Sequence, residues 1–103
     1  VGMFVLELTY TADLESIDAV LPRHIAWLEA HYAAGTFLAS GRKVPRDGGV
    51  ILAAGTDRAS IEALVATDPF TEAGLTRYRV TEFVATTTAP ALAAYRQQPP
   101  ASA

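Results

Sequence analysis

The chain has 103 residues, a formal net charge of -3 and no cysteine. That length suits one domain with a real core and leaves no room for a second. Disulfides, thiolate catalysis and zinc-thiolate sites are excluded outright.

Half of the residues are hydrophobic and 18% are charged, an ordinary globular composition. Lysines and arginines form no cluster that would neutralise phosphates, so no nucleic-acid partner is expected. Lys43 is the only lysine and the other cations are arginines, which suits specific anion contacts better than diffuse attraction. No apolar run is long enough to span a bilayer and no signal-peptide pattern is present, so no membrane partner is expected. Lack of cysteine fits a reducing compartment, and the expectation is a cytoplasmic protein. Met3 reads as the natural start, with Val1 and Gly2 as remnants ahead of it.

From Met3 to Thr11 the residues alternate, with Phe4, Leu6, Leu8 and Tyr10 on one side and Val5, Glu7 and Thr9 on the other. This is a strand with one face in the core. Ala12 to Ser16 reads as a turn in which Asp13 caps a short helical lead-in through Ile17 and Leu21. Pro22 suits a first helical position, so the main helix is expected from about Pro22 to Ala34. Its apolar stripe would be Leu21, Ile25, Leu28 and Tyr32, with His24 at the margin of that stripe and Gly35 ending the helix. Trp27 and His31 read as packing residues on the helix surface.

Thr36 to Gly41 is a short apolar strand, followed by a polar connector from Arg42 to Gly48 with the Asp47-Gly48-Gly49 turn signal. Val50 to Ala54 is a continuous apolar run, expected as a central strand. Asp57 caps a second helix with Ile61, Leu64 and Val65 on its buried side. That helix cannot pass Thr67, because Pro69 pushes Asp68 out of the helical region. Asp68 to Gly74 is a compact turn. Leu75 to Thr86 is the last strand, with Tyr78, Val80 and Val84 alternating against Arg77, Arg79, Thr81 and Phe83. The domain is expected over residues 1–86 and a partly disordered tail over 87–103. Within that tail Ala91 to Gln97 has the composition for a helical turn or two, and Pro99 to Ala103 is expected to be mobile.

Strand, helix, strand, strand, helix, strand is the ferredoxin-like βαββαβ order, an α+β fold with a four-stranded antiparallel sheet and both helices on one face. The other face mixes Val5 and Phe83 with charges, and a second copy of the chain is the expected cover.

His24 is the residue whose chemistry lies closest to neutral pH. Asp68, fixed in direction by Pro69, either caps the turn that follows it or orients His24 as in histidine–carboxylate general-base pairs. Ser40 and Gly41 at a strand end would bring a hydroxyl and backbone amides to a ligand; an ordinary strand end is the plainer reading. Glu7, Thr9, Arg77 and Arg79 either line a polar cavity, with Arg79 as the anion contact, or form cross-strand ion pairs. Spacing of the two histidines gives no metal site, and no cofactor motif is present.

Taken together, His24 followed by Trp27-Leu28, then Gly35, Leu38-Ala39-Ser40-Gly41, Gly48-Gly49-Val50-Ile51-Leu52, and Asp68-Pro69-Phe70 with Ala73-Gly74, resemble the YciI-like (YCII-related) family over roughly Met3 to Phe83. The resemblance implies a ferredoxin-like fold, a homodimer of the dimeric α+β barrel type, and an active site built on His24 and Asp68. Two positions depart from the family pattern. Arg42 stands where proline often follows the Ser-Gly pair, and Leu21 stands where many members carry arginine. The function expected is a small-molecule enzyme doing cofactor-free general acid/base chemistry of lyase, isomerase or dehalogenase-like type. The rival is a non-catalytic small-molecule-binding or regulatory homodimer.

Overall fold

The structure is a computed structural model and describes residues 2–99. The expectations for Val1 and for Pro100 to Ala103 therefore lie outside the described residues. Strand β1 (Gly2–Tyr10) is followed by helix α1 (Leu14–Ala33), strands β2 (Phe37–Arg42) and β3 (Gly48–Gly55), helices α2 (Arg58–Val65) and α3 (Pro69–Glu72) and strand β4 (Thr76–Phe83). A 3-10 turn over Pro90–Tyr95 ends the described chain's regular structure. The strands form one antiparallel sheet in the order β2-β3-β1-β4. This is the ferredoxin-like α+β fold.

Alternation in β1 works as its sequence requires. Phe4 and Leu6 enter a core with Phe37, Ile51, Ala53, Ile61 and Val65, while Leu8 packs with Ile17, Val20 and Phe70. Residues opposite one another in antiparallel strands share a face. Leu6 and Leu8 lie opposite Val80 and Tyr78 in β4, so those two also point to the helices. Arg77 and Arg79 lie opposite Thr9 and Glu7 on the other face.

The first helix differs from its expected form. It is continuous from Leu14, capped by Asp13, whose Oδ1 accepts the Ser16 N–H at 2.9 Å, and Pro22 lies inside it. Proline there deprives the Asp18 carbonyl, four residues back, of its helical partner. Asp18 is exposed, so water can take that place. Starting eight residues early resets which face is buried. Ile17, Val20 and His24 are buried, Leu21, Trp27, Leu28 and His31 are half-buried, and Ile25 and Tyr32 lie exposed. His24 is thus at the centre of the buried stripe rather than its margin. Gly35, at φ 79°, closes the helix, with the Thr36 N–H bonded to the His31 carbonyl.

Strand β2 carries one irregularity. Phe37 pairs with Ala53 and Ala39 with Leu52, so one extra residue, Leu38, is accommodated in a bulge. The bulge inverts the alternation. Phe37 faces the helices opposite Ala53, yet Ser40 and Arg42 also face them, opposite Ile51 and Gly49. Leu38 packs on the reverse side with Met3, Leu52, Ala54, Ala85 and Tyr95. The chain after β4 returns to that side, where the Gln97 N–H bonds the Ala85 carbonyl at 2.9 Å and the Gln97 side chain accepts the Ala85 N–H at 3.1 Å.

Candidate functional site

Asp68 ends the α2–α3 connection and is fully buried. Proline at 69 holds it extended, at φ -60° and ψ 127°, so its carboxylate turns back over the first turn of α3. Its Oδ1 accepts the Phe70 N–H at 2.9 Å and lies 2.8 Å from His24 Nδ1. Its Oδ2 accepts the Tyr78 hydroxyl at 2.5 Å. Capping and pairing with histidine, which read as alternatives in the sequence, coexist in one carboxylate.

A carboxylate only accepts, so Nδ1 carries the proton of the shared bond. The second ring nitrogen, Nε2, has no protein partner among the described residues, and the ring lines a cavity. Phe70 lies against the imidazole, with centroids 4.2 Å apart and planes 18° apart. Trp27 flanks it at 5.7 Å and is itself anchored by its Nε1–H to Thr67 Oγ1 at 2.9 Å. The ring can therefore neither flip nor swing without breaking the Asp68 bond and both stacks. Such burial also means that removing His24 takes packing with it, more than a histidine at a helix margin would. Tyr78 is sealed as well: burial first, and then the Asp68 carboxylate, push its phenol well above the ordinary tyrosine range.

The cavity measures about 170 Å³ and opens between α1 and the ends of β2 and β3. Its walls are mostly apolar, from Leu8, Leu21, Ile25, Leu28, Ile51 and Phe70. Ser40, Gly41 and Arg42 close the side opposite His24, and Gly48 and Gly49 form its floor. Glycine is enforced at 48, where a Cβ would sit 1.9 Å from the Leu8 carbonyl oxygen. At Gly41 a Cβ would meet nothing within 4 Å. The Ser40 Oγ accepts the Tyr32 hydroxyl at 2.5 Å, which leaves the serine's own proton free. Among the described residues no three histidine, aspartate or glutamate side chains gather as a metal site would require, and no helix is long and apolar enough to cross a membrane.

The YCII-related domain matches residues 3–84. The chain belongs to the YCII-related family. Among solved structures it is similar to 5-chloro-2-hydroxyhydroquinone dehydrochlorinase from Burkholderia phenoliruptrix AC1100, in complex with 2,5-dihydroxybenzoquinone. The TM-score is 0.70 at 20% identity, covering 79% of this chain and 92% of that one. At that identity the likeness speaks for the fold. No curated protein matches the chain.

Of the residues singled out in the sequence, this YCII-related domain brings His24, Ser40 and Gly41 to the cavity wall and buries Asp68 behind His24. Arg79 is not among them. It stands on the opposite face of the sheet, across from Glu7, because its register in β4 is out of phase with Tyr78. Glu7 is instead within 3.7 Å of Lys43 Nζ, on a different strand connection. Three participants had no signal in the sequence. Tyr78 was legible as an inward position, but nothing local says that its hydroxyl ends on Asp68. Tyr32 reads as part of an apolar stripe, whereas its exposed hydroxyl holds Ser40. Arg42 falls in a polar connector by pattern, and only the bulge in β2 shows that it shares the helix-facing side.

Proposed function

We propose that this chain is a small-molecule enzyme working by cofactor-free general acid/base chemistry, with His24 as the acid/base and Asp68 as its orienter. One observation carries the reading: a buried imidazole bonded through Nδ1 to a carboxylate at 2.8 Å, with its other nitrogen left to a largely apolar cavity. In this tautomer Nε2 has a lone pair available for a proton. It takes that proton from a carbon or oxygen of the substrate. The electron pair released either expels a leaving group, giving elimination, or shifts along the substrate, which then recovers the proton at another atom, giving isomerisation. Asp68 stabilises the imidazolium formed in between. Ser40, with the backbone at Gly41, provides polar contacts on the facing wall.

The ring-sized cavity agrees with a ligand of the kind named for the structural relative, a substituted quinone. Halogenated hydroquinones are therefore the first substrates to assay, by chloride release and by absorbance. The wild-type chain is expected to turn over at least one, and His24→Ala to lower kcat by about 10²–10⁴-fold. Turnover that persists in His24→Ala with unchanged kcat would overturn the assignment.

A second reading, a non-catalytic binding module, is favoured by the density of bonds on Asp68, which alone would justify its burial. In that case His24→Ala and Asp68→Asn would each lower the melting temperature while ligand affinity stayed the same. We also propose a homodimer through the sheet face away from the helices, where Val50 and Phe83 are exposed beside Glu7 and Arg79. Sedimentation at micromolar concentration is expected to show a dimer, and a monomer there would refute it.

A further inference from the structure

We propose that Arg42 makes this cavity selective for a one-ring molecule bearing an anionic oxygen, a carboxylate or a phenolate, held with its ring beside His24. The inference rests on the reading of His24 as the reacting group, and it names the substrate class of that same site.

Size comes first. A cavity of about 150 Å³ walled by leucine, isoleucine and phenylalanine takes up benzene. The present one is of that scale, at about 170 Å³, and its apolar walls are of the same residue types. A single ring with small substituents fills it.

Charge comes second. Among the described residues the two cations of the β2–β3 connection are already engaged. Lys43 is within 3.7 Å of both Glu7 and Asp47, and Arg46 bonds Asp18 at 2.5 Å. Among the described residues no carboxylate lies within ion-pair distance of Arg42, yet it lines the cavity. Asp18 feels the charge of Arg42, but its Oδ1 is taken by Arg46. Opposite Arg42 stands Gly49, which puts no side chain of its own beside the arginine. A guanidinium offers a planar fork of donors that matches a carboxylate or pairs with a phenolate oxygen.

Third is a second donor. Because Tyr32 donates to Ser40, the Ser40 hydroxyl is free to give its proton to the same anionic oxygen. Ser40 and Arg42 lie two residues apart on one strand and face the same side, opposite Ile51 and Gly49. The ligand would therefore be gripped by its oxygen at the edge strand and would present its ring to Nε2 across the cavity.

Calorimetric titration of the full chain with benzoate and with its neutral analogue benzamide, at pH 8, tests this. Benzoate is expected to bind at least about tenfold tighter than benzamide, the scale of a hydrogen bond to a charged group. Arg42→Ala should bring the two within about twofold, Arg42→Lys should keep part of the preference, and Arg77→Ala, on the other face, should keep all of it. Equal affinities in the wild type, no binding of either compound, or a preference that survives Arg42→Ala would overturn the proposal. The histidine is read separately, from the ¹H–¹⁵N signals of its ring without ligand. A proton on Nδ1 and none on Nε2 sustains the general-base reading even if benzoate fails, and the reverse tautomer sinks that reading even if benzoate binds.

Discussion

The two walls of the cavity are built on opposite plans. On the helix side His24, Asp68, Phe70 and Tyr78 lock one another, and each polar atom that holds the imidazole has a named partner. On the strand side Ser40, Gly41 and Arg42 lie exposed on an edge strand beside a bulge, with one side-chain bond to α1. The first wall cannot be altered without disturbing the core. The second can exchange side chains at little cost to folding. A site divided in this way holds one wall's geometry fixed while the side chains of the other are free to drift, which is the usual relation between a rigid scaffold and its loops and edges.

The sharpest way to break the comparison is at Asp68. Asp68→Ala strands the imidazole, the Tyr78 hydroxyl and the Phe70 N–H at once. Losing one partner of a buried pair costs about 3–5 kcal/mol, and urea denaturation should show a loss of that order. Arg42→Ala in the same experiment should fall within about 0.5 kcal/mol of wild type, because an exposed, unpaired side chain holds nothing. Comparable losses at the two positions would abolish the distinction.

The glycines sharpen it further, since they show where the soft wall becomes hard. Gly48→Ala drives a Cβ into the Leu8 backbone and is expected to cost about 2–3 kcal/mol, like other overpacked substitutions. Gly41→Ala has open space, on the face turned away from the helices, and should leave the urea midpoint almost unchanged. The boundary thus runs between β2 and β3, one strand in from the edge.

An effect smaller than those at Asp68 and Gly48 is expected at Tyr78. An unfolded tyrosine ionises near pH 10, whereas the folded one, buried beside Asp68, keeps its proton well above that. Above about pH 10 the folded state therefore binds more protons than the unfolded one. Stability falls as pH rises, by up to ~1.4 kcal/mol per pH unit for this one group. Below pH 10 both states keep the proton and the group adds no slope. Tyr78→Phe should cost about 1 kcal/mol at neutral pH through the lost hydrogen bond, and should flatten the alkaline limb between pH 10 and 11. An alkaline slope that is the same in both proteins would place the phenol in contact with water.

Much of the fold was legible because its signals are local. Period-two alternation in β1, the caps Asp13 and Asp57, Gly35 after α1 and Pro69 after Asp68 each act within a few residues of themselves. The His24 and Asp68 candidates were legible for their residue types, and the order of elements allowed them to meet without requiring it. What escaped the sequence depends on phase. Pro22 reads as a helix start when taken alone, and only the packing of Ile17 and Val20 extends the helix back across it. Strict alternation in β2 would place Ser40 and Arg42 away from Phe37, and one bulged residue reverses that. Arg79 was assigned by charge without a register, and the register puts it on the far face.

Trp27 gives these contrasts a further use. It is the chain's single tryptophan, and its indole lies beside His24 while its N–H is tethered to Thr67. The indole packs between two imidazoles, His24 at 5.7 Å and His31 at 5.1 Å. Indole emission responds to what surrounds the ring, so the protein carries its own optical reporter one residue behind the cavity. A change in that emission on adding a compound would register its arrival beside His24 in the unlabelled native chain, with no substrate in hand.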